Sequence, residues 1–125
     1  MTNQLLLDKN VVIDLVAGRE RKNKIIKILG QYETAFITTN TFTTCFYILR
    51  KEGYLKEEIY DYLSVFEILE IEKSDCYSAY NLSKNIEDIE DCVELFLAKR
   101  NSCKVVTADT KMILKYGDLF QFLEV

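Results

Sequence analysis

Four aspartates on three separated stretches carry the chemistry this sequence offers. Asp8 closes the short apolar run Leu5–Leu7, Asp109 follows Val105, Val106, Thr107 and Ala108, and Asp88 and Asp91 stand one helical turn apart. Carboxylates gathered from such distant segments repel one another, which raises their pKa values and costs stability unless a cation lies among them. Mg²⁺ or Mn²⁺ is the natural counter-charge, since both prefer oxygen donors and Mg²⁺ needs only a few protein carboxylates. Such an ion can activate water and offset the charge of a phosphodiester, which suits an acidic protein acting on an anionic substrate. Each acid also has a plainer use. Asp8 or Asn10 suits the cap of a first helix and Asp109 or Thr110 that of a last one, while Asp88 and Asp91, with Glu87, Glu90 and Glu94, suit the positive end of a helix dipole. The joint pattern favours a site, because acids follow both the first and the fourth strand, on the edge where the acidic helix start must also lie.

The chain has no histidine, which removes Ser-His and Cys-His nucleophilic catalysis, HExxH metalloproteases and histidine-driven RNA cleavage together. Cys45, Cys76, Cys92 and Cys103 lie far apart without a CxxC pair, so they read as small buried hydrophobes in a reducing compartment rather than a zinc or redox site. A net charge of −4 argues against coating nucleic acid through overall basicity. Arg19, Arg21, Lys22, Lys24 and Lys27 form one local basic patch, with smaller ones at Arg50, Lys51, Lys99 and Arg100, and each equally suits a solvated helix face. The start of the chain shows neither a signal peptide nor a membrane span, so a cytoplasmic protein with no membrane partner is expected.

Leu5–Leu7 predicts a strand that hands over to an apolar helix reaching Gly18. A charged helix near 19–30 and a strand at Thr34–Thr38 follow. Phe42, Cys45, Phe46 and Leu49 recur at i, i+3, i+4 and i+7, describing a buried helix face that stops at Gly53. Leu55, Ile59, Tyr62, Leu63 and Phe66 predict a fourth helix, and Ile68–Ile71 a brief strand. Ser74-Asp75 is the expected cap of the next helix. Ile89, Cys92, Val93, Phe96 and Leu97 predict the clearest helix, over 88–100. A strand at Val105–Val106, a helix over 110–116 and a strand at Phe120–Leu123 complete the order. Strands alternating with helices imply an α/β domain spanning 1–125, with a parallel sheet covered on both faces. In such sheets ligands bind beyond the carboxyl ends of the strands, where Asp8 and Asp109 fall.

The segment LLLDKNVVIDL resembles the opening D-x-N of PIN domains, and IEDIEDCVELFLAKRNSCKVVTADTKMI resembles their D-x-x-D helix followed by a strand and T-x-D. Order and spacing agree over nearly the whole chain. The resemblance implies a three-layer α/β/α sandwich whose five-stranded parallel sheet has the order 3-2-1-4-5, with metal-assisted RNA hydrolysis at the carboxylate cluster. Carried over by position, Asp8, Asp91 and Asp109 match the acids that hold Mg²⁺ or Mn²⁺, and Asn10, Asp88 and Thr107 match supporting polar positions. PIN nucleases usually bear a glutamate on the helix after the second strand. Here that place is near Thr44, and TTNTFTTCFYILRK contains no acid, which puts a two-metal arrangement in question. Many small single-domain members are VapC-type toxins, often dimeric and held by a cognate antitoxin, so an RNA substrate, an antitoxin and a homodimer are the partners the resemblance implies.

Two other classes compete with a metal-dependent endoribonuclease. One is a PIN-fold binding module that has lost a metal-site acid. The other is an aspartate-based phosphotransferase, since DKNVV loosely resembles the D-x-D-x-T/V opening of haloacid-dehalogenase-type phosphatases, but Asn10 replaces the second aspartate and with it the general acid.

Overall fold

The computed structural model describes residues 3–83 and 85–125. β1 (Gln4–Leu7) is followed by α1 (Lys9–Val16) and α2 (Lys22–Leu29), then β2 (Thr34–Thr38), α3 (Thr39–Lys51) and α4 (Lys56–Leu63). β3 (Glu67–Leu69), α5 (Lys73–Leu82), a 3-10 turn at Ile86–Asp88 and α6 (Ile89–Arg100) lead to β4 (Cys103–Thr107), α7 (Thr110–Tyr116) and β5 (Phe122–Glu124). The sheet is parallel throughout, in the order β3-β2-β1-β4-β5. β1 and β4 pair with Leu6 opposite Val105 and Leu7 opposite Val106, which puts Asp8 and Thr107 side by side just past the ladder.

Side chains alternate across β1 because strand residues point to opposite faces in turn. Leu5 and Leu7 pack with Val11, Val12, Ile25, Ile37, Leu49 and Ile59 in the core beneath α1 to α4. Leu6 points the other way, into a second core with Cys92, Leu95, Ala98, Val105, Met112 and Tyr116 beneath α5, α6 and α7. The strands are therefore apolar on both faces and the molecule has three layers, α/β/α. α3 ends where Gly53 adopts φ +98 and Tyr54 N–H returns to the Leu49 carbonyl at 3.1 Å, a six-to-one closure that favours glycine. Among the described residues no helix is long and apolar enough to cross a membrane.

Several sequence expectations shift. The last strand is Phe122–Glu124 rather than Phe120–Leu123, because Phe120 stays off the sheet and packs edge-on against Phe96 with ring centroids 5.2 Å apart. The third strand is Glu67–Leu69, so Ile71 lies outside it, and Phe66 is buried beyond the end of α4. Of Ser74-Asp75, Asp75 does take part in capping α5, but from the third helical position of a capping box rather than from the cap position itself. Glu72 holds the cap position, and Asp75 lies inside the helix, accepting the Glu72 N–H at 2.9 Å and a paired contact from Arg100 at 3.1 and 2.9 Å. α6 buries Leu95 and Ala98 as well as Cys92 and Leu97, a wider face than the expected stripe, because it packs on α5 as well as on the sheet. Cys45, Cys92 and Cys103 are buried as expected, but Cys76 is exposed.

Candidate active site

The order β3-β2-β1-β4-β5 reverses direction between β1 and β4, and open parallel sheets form their ligand crevice at such a switch point. Asp8 follows β1 there, and Asp109 follows β4. α6 must return toward the start of β4, so its first turn, with Asp91, lies at the same edge. α3 begins at that edge too, directly after β2.

Asp8 takes the backbone position of an α1 cap, and its carbonyl accepts from Val11 and Val12 N–H at 3.0 and 3.2 Å, yet its carboxylate makes no capping bond. Its N–H stays in the ladder, donating to the Val106 carbonyl at 3.0 Å. The carboxylate instead faces Thr107, whose hydroxyl donates to Asp8 Oδ2 at 3.1 Å while accepting the Asp109 N–H at 3.0 Å. The fully buried Thr107 side chain thus ties both strand-end acids together. Asp109 does cap α7, its Oδ1 accepting from Met112 N–H at 3.1 Å.

Burial, then the negative charges of Asp8 and Asp109, push the Asp91 carboxyl up to about 6. Burial also raises Asp8, with Asp109 adding to the effect and the Thr107 hydroxyl and Lys9 opposing it. Asp8, Asp91 and Asp109 therefore share one electrostatic environment. Asp88 does not join them. Lys115 Nζ reaches its carboxylate at 3.0 and 3.3 Å and the Tyr116 hydroxyl donates at 3.0 Å, which holds Asp88 below its ordinary pKa and directs it toward α7. Asn10 is exposed on α1.

Glu94, one helical turn beyond Asp91, reads in the sequence only as part of an acidic helix start. Burial, then Asp8, raise its carboxyl to about 7, with Glu90 and Asp91 adding to the effect. Its two oxygens each lie 3.3 Å from the Thr41 hydroxyl. The signal that could have found it is its i+3 spacing from Asp91, the same spacing that linked Asp88 to Asp91. Thr44, the expected place of an acid on α3, is half-buried on the following turn.

Oxygen-only donors carrying several uncompensated negative charges are the set a hard divalent ion takes, so the residues fit Mg²⁺ or Mn²⁺ in kind. Among the described residues, however, no three acidic or cysteine side chains stand in a geometry that would enclose an ion. The carboxylates of Asp8, Asp109 and Glu94 are turned onto Thr107, Met112 N–H and Thr41. A cleft of about 720 Å³ opens instead at the amino ends of β1 and β4, lined by Gln4, Lys99, Cys103 and Phe120 among others. It holds no cluster of acids, so its size does not outweigh the chemistry at the opposite edge.

The PIN domain family model matches residues 5–118. A curated relative, "Ribonuclease VapC1" of Aquifex aeolicus (strain VF5), is 28% identical over 120 residues, covering 88% of this chain and 83% of that protein. Among solved structures, a toxin-antitoxin complex from Klebsiella pneumoniae superposes with a TM-score of 0.78 at 19% identity, over 97% of this chain and 99% of that one. VapBC2 from Rickettsia felis, bound to a DNA fragment from its promoter, gives 0.69 at 15% identity, over 98% of each chain. With the sheet order, the strand-end aspartates and a family match spanning nearly its whole length, this chain belongs to the PIN domain family.

Proposed function

We propose that this protein is a divalent-cation-dependent endoribonuclease of the VapC toxin kind, neutralised by a cognate antitoxin. The observation that carries the reading is the convergence of Asp8, Asp91 and Asp109, from three distant segments, into one crowded acidic edge at the switch point between β1 and β4. Asp8, Asp91 and Asp109 would hold Mg²⁺ or Mn²⁺, which when bound supplies charge compensation for a phosphodiester and acidifies a water. Thr107 positions Asp8 and the Asp109 backbone through its single hydroxyl. Asp88 acts at one remove, clamping the start of α6 to α7 through Lys115 and Tyr116. The relative named as a ribonuclease and the neighbours solved as toxin-antitoxin complexes support both the substrate class and the partner.

A second reading, a PIN-fold binding module without catalysis, is favoured by the present engagement of Asp8 with Thr107 and of Asp109 with Met112 N–H, and by the lack of an ion-enclosing geometry among the described residues. Incubating purified protein with single-stranded and structured RNA, in Mn²⁺ or in chelator, separates the two. Cleavage that needs Mn²⁺ and vanishes in Asp8→Asn supports the nuclease. Intact RNA in every condition, with no calorimetric Mn²⁺ signal, supports the module.

A further inference from the structure

β4 outruns its neighbour at the amino edge of the sheet. β5 begins only opposite Val105, whose N–H donates to the Gln121 carbonyl at 2.9 Å, and at the far end the Val125 N–H donates to the Thr107 carbonyl at 3.0 Å. Alternate residues of a strand turn their main-chain groups to the same side, so Cys103, two before Val105, presents its N–H and C=O toward β5 as well. The chain before β5 does not reach them. Leu119 and Phe120 N–H groups turn back to the Tyr116 carbonyl at 3.0 and 3.1 Å, and no main-chain bond joins Cys103 to residues 119–121 among the described residues. The Cys103 thiol is engaged inward, with the Asn101 carbonyl at 3.7 Å and Gln4 Oε1 at 4.0 Å.

That open stretch of β4 borders the cleft of about 720 Å³, a size within the roughly 300 to 1,000 Å³ that small-ligand sites occupy. Leu95, Ala98, Val105 and Phe120 give it a buried apolar floor. Lys99 brings a cation to its mouth, with Nζ 5.7 Å from the Phe120 ring centre and no ion pair among the described residues. Glu33, the acid of the lining, stands just before β2, two strands away from the open face of Cys103. A donor and an acceptor side by side above an apolar floor complement a flat heterocycle that carries an acceptor beside a donor. Nucleobases present that pair on their Watson–Crick edge, and a phosphate attached to the sugar is an anion suited to a lysine.

We propose that this cleft binds a nucleoside monophosphate, its base paired edge-on with the main chain of Cys103 and its phosphate at Lys99. The cleft lies at the opposite edge of the sheet from the aspartates, so the inference stands apart from the nuclease reading. Its test is an amide NMR titration of the protein with AMP in chelator, followed by calorimetry on the wild type, D8N and K99Q.

The expected result is a saturable shift of the Lys99, Cys103 and Leu119 amides, with those of Asp8, Asp91 and Asp109 unmoved and the AMP affinity of D8N equal to wild type. K99Q changes an exposed side chain and is expected to weaken AMP at least about tenfold at an unchanged melting temperature. AMP dimethylated on its exocyclic amine lacks the donor for the Cys103 carbonyl and is expected to bind about tenfold more weakly. An oligonucleotide with a 5′-phosphate that displaces AMP from the same amides would support the site and make an RNA end its occupant, whereas one that does not would support it as a site for the free nucleotide. Ribose 5-phosphate binding as tightly as AMP, undiminished binding of the dimethylated nucleotide, shifts confined to the aspartate edge, or no AMP binding at all would each overturn the inference and leave the nuclease reading standing.

Discussion

Thr107 Oγ1 lies 3.1 Å from Asp8 Oδ2, and this one hydroxyl, which also accepts the Asp109 N–H at 3.0 Å, joins the ends of the two central strands. Substitution Thr107→Val keeps the buried shape but leaves the Asp109 N–H without that acceptor. The expected cost is about 1–3 kcal/mol in unfolding free energy, with Mn²⁺ affinity falling about 10-fold to 100-fold. Urea denaturation and calorimetry read the two effects separately, and an unchanged Mn²⁺ affinity would show that Thr107 has only a structural part.

Asp88 and Asp91 share a spacing in the sequence but face different neighbours in the fold. Asp91→Asn is expected to reduce RNA cleavage by at least about 100-fold with little loss of stability. Asp88→Asn removes its pairing with Lys115 Nζ, 3.0 Å away, and weakens its bond to Tyr116, so its main effect is expected on the docking of α7. Hydrogen exchange across residues 110–116 should accelerate in Asp88→Asn and not in Asp91→Asn.

Burial and neighbouring acids push the Asp91 and Glu94 carboxyls up to about 6 and about 7, from ordinary values of 3.8 and 4.5. The folded state thus binds more protons than the unfolded chain across this window, so stability is greatest below it and falls as pH rises through the folded values. Melting temperature in chelator should drop between pH 5 and pH 8 by more in the wild type than in E94Q. Mn²⁺ should recover much of the loss at pH 8, since an ion bound only by the folded state stabilises it. A wild-type profile that rises over the same range would contradict the crowding of these acids.

Arg100 grips Asp75 through two bonds at 3.1 and 2.9 Å, and the Asp75 side chain is 3% exposed. Arg100→Ala leaves that carboxylate buried without its cation and is expected to cost about 2–4 kcal/mol. Mn²⁺ affinity should remain within about twofold of wild type when measured below the new melting transition. That contrast separates acids that hold α5 against α6 from acids that face the crevice.

Much of this was legible in the residues. Strand β2 and helix α7 fall where the periodicity and stop signals put them, and the alternation of short apolar strands with helices already required a parallel sheet covered on both faces. Boundaries slipped where a side chain had two apolar destinations. Phe120 suits a strand or a helix-side core equally well by type, and only packing against Phe96 decides between them. Ser74-Asp75 has the chemistry of a cap, and Asp75 does close a capping box with Glu72 N–H, but its pairing with Arg100, distant in sequence, is set by the packing of α6 on α5.

What the sequence determined by itself is the inventory and its rough addresses: no histidine, acids after the first and fourth strands, and an acidic helix start. The tertiary structure decided which acids face one another. Carboxylates at i and i+3 are equivalent along a helix, but α7 draws Asp88 away with Lys115 and Tyr116, while α3 presents Thr41 to Glu94. Those partners lie 27, 28 and 53 residues away in the chain, so no local pattern encodes them. Only the crossing of the helices over the sheet brings them into contact.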